Sequence, residues 1–145
     1  FRDVARYKGR PVYFMKRAQI CALDLAMAFQ THDHPPLAGL EELTAFADYR
    51  VPQALRHLGI LTLTNELAQK IDSDQEIEAE SEAEIELRAA TIHAVERMKA
   101  ALAGSRSAFS GGGKVPAWQI DWYLWALSHR PEIQEKHHRT RTVYY

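Results

Sequence analysis

Asp48, Tyr49 and Arg50 set a carboxylate, a phenol and a guanidinium side by side, and Pro52 follows within two residues. The surrounding stretch, TAFADYRVPQALRHLG over 44–59, starts as a helix and then interrupts itself. A carboxylate on the last turn of a helix meets the negative end of the dipole, so Asp48 there needs a compensating cation or a chemical task. Arg50 is the local cation. The residues alone leave both readings open: a helix end closed by an ion pair, or a site. Lys16, Arg17 and Asp24 raise a related question. They lie in an otherwise apolar helical run, and buried charges need partners.

Other chemistries find less support. His32 and His34 are two apart in a Pro-rich loop and His137 and His138 are adjacent, so neither pair has the i, i+4 helical spacing of a zinc hydrolase. No G-x-S-x-G stretch is present, and Cys21 sits inside an apolar helix, which argues against Ser-His-Asp or Cys-His nucleophiles. Lys114 is followed by Val115 where a phosphate loop requires Ser or Thr. No metal and no cofactor are expected.

The elements that must position these groups read as helices. Pro11 suits a first helical position, and PVYFMKRAQICALDLAMAFQ predicts one buried helix over 11–30. A loop over 31–39 follows, then a short helix from Leu40 to about Asp48. A helix from Pro52 to Leu58 ends at Gly59, a favourable residue just past a helix end. NELAQKID predicts another. The alternating acids from Asp72 to Glu86 face no apolar partners and read as a solvated loop leading into a helix start. Ser81 and Glu84 form a capping-box pattern for a helix over 82–103, whose apolar stripe is Ile85, Ala89, Ile92, Val95 and Leu102, with Arg88 beside it. GSRSAFSGGGK over 104–114 is a loop. In the helix over 116–128, Trp118, Trp122 and Trp125 share a face that reads as core rather than as a base-stacking platform. The tail, EKHHRTRTVYY, is cationic and then aromatic, and is expected to dock.

These elements predict an all-α, multi-helix, non-bundle domain. A chain of 145 residues suits a single domain. A net charge of -1 gives no basic field for duplex nucleic acid. No apolar run is long enough to span a membrane. One cysteine excludes an intrachain disulfide and fits a reducing, cytoplasmic setting.

LTAFADYRVPQALRHLGIL closely resembles the signature of the queuosine salvage protein family. VYFMKRAQ, IELRAATIHAVE, IDWYLW and HHRTRTVYY match the same family in the same order, across nearly the whole chain. The resemblance implies hydrolysis of the N-glycosidic bond of queuosine 5′-monophosphate, a small nucleotide, with release of queuine for tRNA modification. It also implies an all-α fold resembling that of DNA glycosylases. Asp48 matches the signature aspartate and is implied to be catalytic, facing the positive charge that builds on the sugar. Tyr49 and Arg50 are implied to orient Asp48 or bind substrate, and Gln53 to read a ribose hydroxyl or the base edge. Lys16 and Arg17 match the KRAQ element, with Lys16 a partner for the 5′-phosphate. Family members are about twice as long, so the chain is expected to be their carboxyl-terminal part, lacking an amino-terminal half. An alternative is a non-catalytic helical module that needs that missing half as a partner.

Overall fold

A tight turn decides how the chain begins. The computed structural model describes residues 1–29, 35, 37–104 and 114–145. Lys8 and Gly9 both take positive φ (47° and 80°), as a two-residue hairpin turn requires. They join β1 (Val4–Tyr7) to β2 (Arg10–Tyr13) in an antiparallel pair, with Val4 opposite Tyr13 and Tyr7 opposite Arg10. The all-α expectation holds in outline, with a small sheet that it did not include. The fold is mostly helical, with five helices and this small two-stranded sheet among the described residues.

The helix expected from Pro11 begins only at Lys16, as α1 (Lys16–Phe29). Pro11 lies in β2 opposite Arg6, and Met15 (φ 51°) breaks the path between strand and helix. Asp3 fixes that break. Its carbonyl accepts from the N–H groups of Phe14 and Met15 (3.1 and 3.2 Å), and its carboxylate accepts from the Lys16 N–H (3.3 Å). Nor is α1 buried all round as expected: only Leu23 and Ala26 are buried, while Arg17 and Asp24 are exposed. The expected loops over 31–39 and 104–114 fall largely outside the described residues, as do His32 and His34.

The short helix expected up to Asp48 is reduced to one 3-10 turn, Leu40–Glu42. The next residues form no helix because their backbone donors go elsewhere. The Thr44 N–H donates to the Gln19 side-chain carbonyl (2.9 Å) and the Phe46 N–H to the Asp121 carboxylate (2.8 Å). Ala45, Phe46, Ala47 and Asp48 are consecutively buried, so these polar groups must find such partners.

Four further helices follow: α2 (Arg50–His57), α3 (Asn65–Asp72), α4 (Glu82–Gly104) and α5 (Ala117–Leu127). Thr64 caps α3, accepting from the Leu67 N–H (3.3 Å), and Ser81 accepts from the Glu84 N–H at the start of α4 (3.3 Å). The buried face of α4 runs through Glu84, Leu87, Arg88, Thr91 and Val95, whereas Ala89 is exposed. Helices α2, α4 and α5 pack on one another around Val51, Leu55, Val95, Ile120 and Leu124. Leu23, Phe46 and Trp118 attach α1 to this core. The tail docks. Ile77 N–H donates to the Arg139 carbonyl (2.8 Å), and Tyr145 donates to Glu84 (2.7 Å). This arrangement gives no support to the expected likeness to DNA glycosylases. No described helix is long and apolar enough to cross a membrane.

Candidate active site

The peptide path just described turns Asp48 from a helix end into a helix start. Its Oδ1 accepts from the N–H groups of Arg50 and Val51, both at 2.9 Å, which is how an N-terminal capping residue binds the first turn. The carboxylate thus meets the positive end of the α2 dipole, opposite to the sequence expectation. Pro52 fits within this first turn, where backbone N–H groups have no helical acceptor.

Asp48 lines a cavity of about 530 Å³ together with Lys16, Phe46, Asp121, Trp122 and Trp125. The two carboxylates are 5 % and 3 % exposed. Burial raises the pKa of Asp48, against the opposing pull of the Val51 N–H, the Lys16 charge and the Arg50 N–H. Burial and then the Asp48 charge push Asp121 up to about 7, with the Phe46 N–H and Lys16 opposing. Both carboxyls of this shared site are thus pushed upward, and Asp121 is half-protonated near neutrality.

The upward shift of Asp121 has a measurable sign. The folded pKa of Asp121 lies above its ordinary value of 3.8, so between these values the folded chain holds a proton that the unfolded chain has lost. Stability falls as pH rises through that window and levels off above about 7. Asp121→Asn keeps an acceptor for the Phe46 N–H and removes the ionisation. Urea unfolding is expected to show the variant gaining stability relative to the parent at pH 8 compared with pH 5. An equal difference at both pH values contradicts the assignment.

The remaining residues singled out in the sequence point elsewhere. Among the described residues, Arg17, Tyr49, Arg50 and Gln53 do not line this cavity. Arg17 donates to the Val143 carbonyl (3.1 Å). The Tyr49 ring packs on His137, with centroids 4.8 Å apart. Arg50 donates to the Gln53 side chain (3.3 Å), which in turn donates to the Glu135 carbonyl (2.6 Å). These four residues bind the tail to the fold.

Conversely, Asp121, Trp122 and Trp125 belong to the cavity but were not among the expected site residues. Of the three tryptophans expected as core, only Trp118 is buried; Trp122 and Trp125 are 45 % and 48 % exposed. The available signal was Asp121 itself, a lone acid within an apolar, aromatic helix.

The profile of queuosine salvage proteins matches residues 1–145. The chain belongs to the queuosine salvage protein family. A queuosine 5′-phosphate N-glycosylase/hydrolase of Sphaerobacter thermophilus is 48 % identical to it over 146 residues, covering 100 % of this chain and 43 % of the relative. Proteins of the same description from Dictyostelium discoideum and Bos taurus are 42 % and 31 % identical, each covering 100 % of this chain and 44 % of the relative. This family member therefore spans less than half the length of the curated relatives it matches.

Proposed function

We propose that this chain carries the catalytic centre for hydrolysing the N-glycosidic bond of queuosine 5′-phosphate, with release of queuine. The observation that carries the reading is the pairing of Asp48 and Asp121, two buried carboxyls of which Asp121 is pushed up to about 7, in one aromatic-walled cavity with a lysine. Two carboxyl groups in one site, one of them keeping its proton near neutrality, suit general acid and electrostatic roles on a glycosidic bond. In this reading the bond from the sugar C1′ to the base nitrogen breaks and water adds to C1′. Asp48, whose two N–H donors and the Lys16 charge favour its ionised form against burial, stabilises the positive charge that develops on the sugar. Protonated Asp121 donates its proton to the departing base, and the proton that the water loses as its oxygen bonds C1′ returns to the carboxylate pair. Trp122 and Trp125 offer ring faces to the base, and Lys16 takes the 5′-phosphate. The products are the free base and ribose 5-phosphate. The roles implied for Arg17, Tyr49, Arg50 and Gln53 become positioning roles, exerted through the tail. The substrate is a free nucleotide, and the setting is cytoplasmic.

The test compares queuosine 5′-phosphate with unphosphorylated queuosine, following queuine by chromatography. Lys16→Gln is expected to raise KM for the nucleotide by roughly ten- to a hundredfold, the worth of one charge-assisted contact. Its effect on the nucleoside is expected to be small. Equal effects on both substrates remove Lys16 from the phosphate site.

A second reading is that the centre needs a further segment for activity. The exposed Trp122, Tyr123 and Trp125 on α5, and the span of less than half of the relatives, favour it. That reading predicts no turnover by the 145-residue chain, and turnover once the remaining portion of a relative is supplied.

A further inference from the structure

We propose that Asp3 and Gln19 are positioning residues for the Asp48 cavity: they fix the start of α1 against the path into Asp48 and so hold Lys16 in place before the two carboxyls. Neither is among the lining residues, whereas Lys16, Asp48 and Asp121 all are.

Lys16 opens α1, and Asp48 caps the start of α2. The residues that lead into each are not helical, so no regular element sets the distance between the two side chains. Long-range hydrogen bonds set it instead, through two braces. In the first, Arg88 Nε donates to the Ala47 carbonyl (3.1 Å), in the peptide group that enters Asp48. The two terminal Arg88 nitrogens donate to the Asp3 carboxylate (3.0 and 2.5 Å), and Asp3 Oδ2 also accepts from the Lys16 N–H (3.3 Å). Asp3, Arg88 and Ala47 are all buried, so solvent does not compete for these bonds. In the second, Gln19 Oε1 accepts from the Thr44 N–H (2.9 Å), and Gln19 Nε2 donates to the Phe14 carbonyl (3.0 Å).

The backbone between the braces bears their mark. Met15, between Phe14 and Lys16, has a φ of 51°, in the left-handed region that residues other than glycine rarely adopt. Such a conformation persists only where surrounding contacts impose it. The Asp3 carbonyl does so here, accepting from both the Phe14 and the Met15 N–H groups. This turn aims the first residue of α1, so relaxing it moves Lys16. The effect reaches the carboxyls through charge. Burial and the Asp48 charge push Asp121 up, and the Phe46 N–H and the Lys16 charge oppose them; Lys16 also opposes the upward push on Asp48.

The deciding experiment reads placement without turnover. The Asp121 carboxyl of the 145-residue chain is titrated by carboxyl-carbon NMR, with a midpoint expected near 7 in the parent. Lys16→Gln removes the ammonium and is expected to raise that midpoint by roughly 1 pH unit. Gln19→Ala exchanges one neutral side chain for another within a helix, and is expected to raise it by a part of that amount. Combined with Lys16→Gln it is expected to add nothing, because it acts through Lys16. The Asp3→Asn side chain has one oxygen to divide between Arg88 and Lys16, and is expected to shift the midpoint the same way; if that variant does not fold, Gln19→Ala decides. Thr64→Ala loses the α3 cap, touches neither brace, and is expected to leave the midpoint in place. Turnover supplies a second readout, which alone rests on the glycosidase reading. Gln19→Ala is expected to lower kcat for queuosine 5′-phosphate by roughly tenfold, and to change that for the unphosphorylated nucleoside by less than about twofold. An inactive parent with the expected NMR shifts supports the placement and counts against turnover by this chain alone. The proposal fails if Gln19→Ala leaves the midpoint unmoved, if its shift persists undiminished beside Lys16→Gln, if Thr64→Ala shifts it equally, or if Gln19→Ala slows both substrates alike.

Discussion

Asp48→Asn is expected to slow queuine release from queuosine 5′-phosphate by about 10²–10³-fold, the worth of one preorganised charge in a water-poor site. The substitution is informative because Asp48 has two tasks. Its Oδ1 caps α2 through the Arg50 and Val51 N–H groups, and its charge faces the cavity shared with Asp121. Asn caps helices about as well as Asp, so the first task survives and the second is lost. Unfolding free energy is expected to change by no more than about 1 kcal/mol, since the lost attraction to the helix dipole is set against relief from burying a charge. Asp48→Ala removes both tasks, and is expected to cost about 1 kcal/mol more in stability. The measurement is single-turnover chromatography alongside urea unfolding of each variant. Full activity in Asp48→Asn, in an active parent, means that the carboxylate charge is not what the reaction uses.

Arg88→Met is expected to produce the largest loss of stability, about 3–5 kcal/mol. That is a substantial part of the roughly 5–15 kcal/mol that holds a typical domain together. The Arg88 side chain is 2 % exposed, and its guanidinium contacts Asp3 (3.0 and 2.5 Å), Glu84 (3.5 Å) and the Ala47 carbonyl (3.1 Å). It also lies over the rings of Phe14 and Tyr145, at 3.9 and 4.8 Å from their centroids. One side chain thus ties the hairpin, α4, the non-helical path to Asp48 and the tail. Met approximates its volume and leaves two buried carboxylates without their cation. A double variant with Asp3→Asn is expected to recover part of the loss, because it removes one of those stranded charges. If Arg88→Met alone costs under about 1 kcal/mol, the carboxylates have found another partner or water, and the pairing is not what holds these segments.

Arg88 also illustrates what could be read from the sequence. Its place beside an apolar stripe was visible, as were the Ser81 cap and the helices α2, α3, α4 and α5 to within a few residues. Local rules govern these features. The hairpin went unread because two four-residue strands carry little periodicity, and Pro11 mimics a helix start. The Lys8–Gly9 pair was the signal to weigh. The path from Leu43 to Asp48 was not legible at all. Its helical composition is overridden by hydrogen bonds to Gln19 and Asp121, which lie 25 and 75 residues away. That same override moved Asp48 from the negative end of one helix to the positive end of the next. Lys16 and Asp48 were read as site residues and meet in the cavity; Asp121 was missed because the aromatic helix that carries it was read as core. Tyr49, Arg50 and Gln53 are neighbours of Asp48 in sequence, but a helix start sends successive side chains in different directions.

The chain contains three tryptophans, Trp118, Trp122 and Trp125, and all three lie on α5. Two line the cavity, and the third packs edge-on against Trp122, with centroids 5.0 Å apart. Every indole in the molecule is therefore at or next to the candidate site. Ultraviolet emission excited at the indole band becomes a local signal rather than an average over the fold. A nucleotide stacking on those rings, or Asp121 ionising beside them, registers without any label being attached. The site carries its own fluorophore, so occupancy can be followed separately from turnover.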